Sequence, residues 1–375
     1  VEKSPFTQAG LDTALATSFW RDRKVLVTGH TGFKGAWLTL WLEEMGAQVT
    51  ALSLAPESPD GAFSRLSPWR THSVIADLRD LDAVRDVVKR AAPSVIFHLA
   101  AEAIVRRAYA APLDTFETNV MGTANLLEAV RASSGVDAVL VVTSDKVYEN
   151  ATLEPAREGD PLGHVDPYSS SKACVELLVR AWRSSYLDED GVRVCTARAG
   201  NVIGGGDAAP DRLIPDVLRA DLAAKAVVIR NPGAVRPWQH TLDPLHGYLL
   251  FAQQMVLHPG DVPSALNFGP DGTTWTVLDV ITRLQELLGD GRIEIAGNHG
   301  PHEAPALLLD SQLAKDSLGW RPLLSTEDAL RWTVDWHHAL KEGADLRALT
   351  IGQIRAYRER ASAHGSSASA ISGSD

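Results

Sequence analysis

Two stretches of this chain combine residue types and spacing that can move protons. In Val141-Val-Thr-Ser144-Asp145-Lys146 an apolar β-branched run ends in a hydroxyl, an acid and a base in succession. An isolated Asp-Lys pair ordinarily makes a salt-bridged surface turn, so its chemistry depends on what the rest of the chain brings beside it. The second stretch is Tyr168-Ser-Ser-Ser-Lys172. Residues four apart share a helix face, so both groups can reach one site. An ammonium near a phenol favours the phenolate, lowering a reference pKa near about 10 and making Tyr168 a usable base.

Such groups need elements to hold them. Lys24 to Gly29 reads as a short apolar strand, and Phe33 to Met45 carries apolar residues at helical spacing, closed by Gly46 in the C′ role. Strands follow at Gln48–Leu54, Ser94–Ala100, Val136–Ser144 and Val192–Val202, with a helix over Pro112–Ser133 between the second and third of these. Another helix opens with Asp166 as N-cap and Pro167 as N1, which places Tyr168 and Lys172 in its first turns. Strands alternating with helices predict the α/β class: a Rossmann-type doubly wound parallel sheet, with a smaller C-terminal mixed α/β substrate lobe. Residues 1–200 read mainly as a nucleotide-binding domain and 201–345 mainly as the substrate lobe, the chain crossing back to the sheet. Residues 346–375 read as a C-terminal extension whose small, polar end is disordered.

Between the first strand and helix stands Gly29-His-Thr-Gly32-Phe-Lys-Gly35. Gly29 permits the tight turn, Gly32 lets backbone approach a pyrophosphate, and Gly35 lets the helix pack on the sheet, with helix N-terminal N–H groups facing the phosphates. A dinucleotide is therefore expected. No acid closes the second strand, since Glu57 lies well past it, and no Arg is placed for a 2′-phosphate. Asp77 has two readings, as acceptor from an adenine amino group or as a helix N-cap.

Composition narrows the partners. The 375-residue chain carries a net charge of −11, which works against non-specific attraction to nucleic acid or an anionic membrane, so an anionic substrate must be gripped by locally placed Arg, Lys and N–H groups. Only Cys174 and Cys195 are present, without metal-ligand spacing, which suits a reducing compartment, and no metal is expected. The first residues lack the pattern of a secretory leader, and no apolar run is long enough to span a bilayer. The expected location is the cytoplasm.

These motifs, with "HLAA" (His98–Ala101), "TFETNVMGTANLLEA" and "ARAGNVIGGGD", resemble the extended short-chain dehydrogenase/reductase superfamily. Within it, "TGHTGFKGAWL", "TSDKVY", "DPYSSSK", "DRLIPD" and "AVRPWQHTLDP" are similar to the nucleotide-sugar 4,6-dehydratases of the type acting on CDP-glucose. The resemblance implies NAD as cofactor, a nucleoside-diphosphate hexose as substrate with CDP-glucose foremost, and a homodimer or homotetramer. It implies that Tyr168 and Lys172 serve oxidation at C4 with Ser144 bonded to O4, that Asp145 protonates the leaving C6 hydroxyl, and that Lys146 is the C5 base. By the same resemblance Gly29, Thr31, Gly32, Phe33, Lys34, Gly35, Asp77, Leu78, Leu99, Ala100, Ala101 and Asn119 hold the cofactor, together with Tyr168 and Lys172. Glu102, Arg106, Asn201, Arg212, Leu213, Ile214, Arg236 and Gln239 meet the substrate, Asn201 and Arg236 at its diphosphate. Glu102 and Ala103 stand where Gln-Pro is usual, and Val147 where Cys is usual. Two other readings stay open: a nucleotide-sugar 4-epimerase or dehydratase for another sugar, and a non-catalytic dinucleotide sensor.

Overall fold

The computed structural model describes residues 15–149, 154–229, 231–272, 275–289, 293–295 and 308–371. Seven strands form one parallel sheet: β1 (Lys24–Thr28), β2 (Gln48–Ser53), β3 (His72–Ile75), β4 (Val95–His98), β5 (Ala138–Val142), β6 (Arg193–Ala199) and β7 (Ala265–Phe268). Their order, β7-β6-β5-β4-β1-β2-β3, makes the chain wind outward from β1 and then return to wind the other way. The β1–β4 junction is thus the switch point, where carboxyl ends of strands open a crevice. The expected doubly wound sheet is present.

The principal helices are α1 (Phe33–Glu44), α2 (Leu81–Ala91), α3 (Val105–Ala110), α4 (Gly122–Arg131), α5 (Pro167–Trp182), α6 (Leu213–Leu222), α7 (Leu242–Leu257), α8 (Val277–Leu288), α9 (Thr326–Glu342) and α10 (Leu346–Ile371). Because successive strand residues point to opposite faces, Val25, Val27, Val95, Phe97 and Leu140 pack with Trp37 and Trp41 of α1 and Leu249 of α7. Leu26, Ile96, Val139 and Val141 pack on the other face with Val84 of α2, Leu127 of α4 and Val175 of α5. A third cluster joins Ile214 of α6, Ile281 of α8 and Leu330 of α9.

Three elements depart from expectation. The helix predicted over Pro112–Ser133 contains a π turn at Glu117–Met121, which turns Asn119 inward so that its Nδ2 donates to Ser171 Oγ at 2.8 Å. β3 is an edge strand whose residues are mostly exposed, so it carries no alternating signature. The C-terminal extension forms α10 as far as Ile371, while Ser372–Asp375 lie outside the described residues, as does the N-terminal stretch to residue 14. Buried Leu346, Thr350, Ile354 and Tyr357 pack the first turns of α10, and the Tyr357 hydroxyl donates to Asp243 Oδ1 at 2.8 Å. A helix so anchored propagates readily through Ala-containing sequence, which is why small polar composition misleads there. No helix among the described residues is long and apolar enough to cross a membrane.

One buried ion pair ties the site-bearing elements together. Glu176 of α5 accepts from Arg198 Nε and Nη2 of β6, each at 2.9 Å. It also accepts from Thr143 just beyond β5 at 2.5 Å and from Thr196 at 2.7 Å. Arg198 Nη1 in turn donates to the Tyr148 hydroxyl at 2.9 Å, which donates to Asn267 of β7 at 2.6 Å. With both side chains only 4% exposed, removing one partner strands a charge in the core. Glu176→Ala is expected to lose about 3–5 kcal/mol of stability. Urea unfolding checks this, and a loss within the range of ordinary surface substitutions would rule out the pair as a brace.

Candidate active site

The carboxyl ends of β1, β4, β5 and β6 open into a single large cavity of about 890 Å³. After β1, Gly29 takes a φ of +80°, and a Cβ there would lie 2.6 Å from Ala100 N, so the β1 and β4 turns touch backbone to backbone. A Cβ on Gly35 would meet Gly29 O at 2.1 Å. Gly35 therefore lets α1 start directly on the preceding loop, rather than on the sheet as expected. Gly32 caps α1 with no side-chain bond and no acid stands in the first turn, so the N–H groups of that turn have no capping side chain. Such a helix end, lined by Thr31, Phe33 and Lys34 and flanked by Leu99, Ala100 and Ala101, suits a dinucleotide diphosphate.

Asp77 and Leu78 line the same cavity beyond β3. Asp77 is not an N-cap: Asp80 caps α2, accepting from Asp82 N and Ala83 N, while Asp77 accepts from Arg79 N at 2.9 Å and from its guanidinium. Bonding to Arg79 holds the Asp77 carboxyl below its usual range. Glu57, past β2, forms a two-pronged bridge to Arg107 at 2.7 Å for each prong.

The Ser-Asp-Lys stretch is not a surface salt bridge. Directly after β5, Ser144 caps a short 3₁₀ turn over Asp145–Val147, its Oγ accepting from Lys146 N at 3.2 Å and donating to Asp145 Oδ1 at 2.9 Å. That turn swings all three side chains into the cavity. The Asp145 side chain is only 2% exposed, its Oδ2 has no hydrogen-bond partner, and Lys146 Nζ stands 3.8 Å from Oδ1. A buried, partly unpaired carboxylate in a cleft is the mark of a group kept for chemistry.

α5 brings Tyr168 and Lys172 to the same end of the cavity, Tyr168 beside Ser144. Their electrostatics differ from the sequence reading. Burial pushes the Tyr168 phenol up to about 12, although Ser144 and the Arg212 charge act to lower it. Burial also brings Lys172 down to about 8, against the pull of Glu176, and its Nζ donates to Val142 O at 3.2 Å. Lys172 is thus anchored to the sheet and does not by itself make Tyr168 a phenolate in the ligand-free protein. Burial, with Arg212 and Lys172 adding to it, likewise takes Lys34 down to about 7.

Most of the predicted substrate residues line the same cavity. Arg212 bridges Asp207 at 3.0 Å, and Arg106 bridges Asp211 at 3.1 Å. Asn201, Arg236, Leu213 and Ile214 line the wall there. Glu102 bends back to accept from Ile104 N at 2.8 Å, which engages its carboxylate in capping the approach to α3. Two predicted residues do not line the cavity. Asn119 is buried behind it, bonding Glu102 N and O and Ser171, and Gln239 is buried with its Nε2 on Phe268 O at 2.9 Å. Both hold the wall from behind. Sequence reasoning missed Trp238, Ile229 and Val277, which extend the apolar wall, and His164, which shares the catalytic end. The wall residues carry no local pattern, and only the spacing of His164 from Tyr168 hinted at its place.

The family model described as the NAD dependent epimerase/dehydratase family matches residues 25–264. The chain is 42% identical over 350 residues to the CDP-glucose 4,6-dehydratase of Salmonella typhimurium, covering 91% of this chain and 97% of that one. It is 32% identical over 327 residues to the dTDP-glucose 4,6-dehydratase of Mycolicibacterium smegmatis, covering 84% and 93%. Among solved structures, the dTDP-glucose 4,6-dehydratase DesIV of Streptomyces venezuelae, crystallised with NAD bound, superposes with a TM-score of 0.75 at 26% identity, covering 85% of this chain and 98% of that one.

Because burial raises Tyr168, the ligand-free protein should show no tyrosinate absorbance that Tyr168→Phe removes at or below pH 10, the ordinary value for a phenol. A spectrophotometric pH titration of both proteins decides this. A difference appearing near neutrality would restore Lys172 as sufficient activator.

Proposed function

The chain belongs to the NAD dependent epimerase/dehydratase family, and on that premise we propose that it is a CDP-glucose 4,6-dehydratase, converting CDP-D-glucose to CDP-4-dehydro-6-deoxy-D-glucose and water for deoxysugar biosynthesis. Its cofactor is NAD. When bound, NAD takes a hydride from C4 and gives it back at C6, so no outside oxidant is consumed. The bare first turn of α1 and the Gly29 contact with Ala100 hold its diphosphate.

The observation that carries the reading is the Ser144-Asp145-Lys146 turn, its Asp145 buried, standing beside Tyr168 in one cavity. Oxidation at C4 needs only a base for the O4 proton, and Tyr168 beside Ser144 fills that role. A 4-epimerase needs nothing more. Elimination of water across C5 and C6 also needs an acid at the leaving hydroxyl, and Asp145 supplies it, with Lys146 serving the same elimination. A dinucleotide sensor would have use for neither. Arg236, with Asn201 beside it, receives the substrate diphosphate, and Arg212 adds charge at the same wall. Leu213, Ile214, Ile229 and Trp238 enclose the base.

Incubation with a panel of nucleoside-diphosphate hexoses, followed by assay for a 4-keto-6-deoxy product, tests reaction and substrate together. CDP-glucose should be preferred. Tyr168→Phe should stop both cofactor reduction and dehydration. Asp145→Asn should leave cofactor reduction by the sugar and slow water loss by roughly 10²–10⁴-fold. Equal losses of both steps in Asp145→Asn, or net consumption of NAD, would count against a dehydratase.

We also propose a cytoplasmic homo-oligomer. The free thiols Cys174 and Cys195 suit a reducing compartment. Leu113, Met121 and Leu177 are 78%, 54% and 51% exposed on helical segments that pack together, an apolar face suited to a second copy. Leu113→Asp with Leu177→Asp should shift the mass measured by light scattering to that of a monomer. An unchanged oligomer would place the interface elsewhere.

A further inference from the structure

Glu57 and Arg107 come from opposite sides of the first strand. In the sheet β1 lies between β4 and β2, Glu57 sits on the loop that leaves β2, and Arg107 belongs to α3, which follows β4. Their two-pronged bridge, 2.7 Å at each prong, therefore passes over the carboxyl end of β1, where the glycine turn leads into α1. Both residues line the cavity together with that turn.

The two halves of the bridge are held differently. On the α3 side Arg107 is set firmly, because Glu102 accepts from Ile104 N at 2.8 Å where the helix begins, and Glu102 Oε2 lies 3.8 Å from Arg107 Nη1. On the β2 side the chain is fastened at either end of a short arc. Thr31 Oγ1 donates to Leu54 O at 3.0 Å before it, and after it Ser64 Oγ donates to Ser58 O at 3.0 Å and Ala62 N to Gly206 O at 2.8 Å. Residues 55–57 between these anchors are exposed, and among the described residues their only hydrogen bonds are the two that Glu57 accepts from Arg107. The bridge thus sets where the arc stands.

Resting on the placement of the cofactor diphosphate at the first turn of α1, and not on the choice of sugar nucleotide, we infer that the Glu57–Arg107 bridge is a clasp that retains NAD. It must open for the dinucleotide to enter or leave, and when closed it bars both. NAD that regains its oxidised form within one catalytic cycle never has to leave, so slow exchange costs no turnover. A two-pronged bridge between side chains 69% and 37% exposed suits this use, because it is directional when formed and can part without uncovering core.

Cofactor exchange tests the clasp. Protein loaded with reduced cofactor is chased with excess NAD, and entry is followed by mixing cofactor-depleted protein with the reduced form, its fluorescence reporting both in stopped flow. Glu57→Gln and Arg107→Gln should each speed entry and release by roughly 3- to 10-fold, while the dissociation constant moves much less than either rate. Salt should shrink the difference from wild type, because exposed charges are screened. Glu57→Arg combined with Arg107→Glu rebuilds the pair in reverse and should return both rates toward wild type. A residue that merely touched the cofactor would change release and affinity together and would not tolerate the reversal. Since both side chains are exposed, thermal melts should stay close to wild type. Wild-type rates in the single variants, or fast exchange in the reversed pair, would overturn the clasp and leave the proposed function intact. Gly32→Asp gives α1 a favoured N-cap but sets a carboxylate where the diphosphate is placed, and should abolish cofactor binding. Undiminished binding in that variant would overturn the placement of the cofactor, and the clasp with it.

Discussion

The site depends on one buried ion pair. Glu176 lies one helical turn beyond Lys172, which lies one turn beyond Tyr168, so a single face of α5 presents base, ammonium and brace in sequence. By bonding Arg198 on β6 and Thr143 beyond β5, Glu176 sets the height of that face against the sheet and the point at which the β5 chain turns. Lys172 then reaches Val142 O, and Ser144 and Asp145 turn toward Tyr168. A hydrophobic contact would leave α5 free to slide by a fraction of an ångström. A fully bonded carboxylate and guanidinium do not, because each displaced bond exposes a buried charge.

The second constraint is electrostatic. Although the chain carries a net charge of −11, the cavity gathers Lys34, Lys172, Arg212 and Arg236. Burial weakens the charged forms of Lys34 and Lys172, and Arg212 and Lys172 further discourage the charge on Lys34. An anionic diphosphate entering the cleft would relieve that strain, so the same arrangement that is costly when empty favours the ligand. Tyr168 follows the same logic. Burial raises its pKa in the ligand-free protein, and the Ser144 bond and the Arg212 charge, which act against that rise, are what favour a phenolate.

Much of this was legible in the chain before any coordinates. Gly29, Gly32 and Gly35 at the mouth of the first βα unit announced a nucleotide turn because only backbone without side chains can approach so closely, and the φ of Gly29 with the contact at Ala100 agrees. Asp166 and Pro167 announced the start of α5, since caps are local chemistry. The alternation of strand and helix announced the parallel sheet. Local rules failed where another segment decided the outcome. Asp77 gave up the cap to Asp80 because Arg79 claimed it, the helix before α4 took a π turn to aim Asn119 at Ser171, and the tail of α10 stayed helical because its first turns were packed.

What the sequence determined by itself is therefore the set of reactive groups and the elements that carry them, because propensity, capping and glycine geometry act over a few residues. What only the tertiary structure decided is their environment. Whether Asp145 was exposed or buried, and whether Lys172 acted on Tyr168 or on Val142 O, depended on burial and on partners far along the chain. Desolvation and long-range charge are set by everything that surrounds a group, and no short stretch of sequence contains its own surroundings.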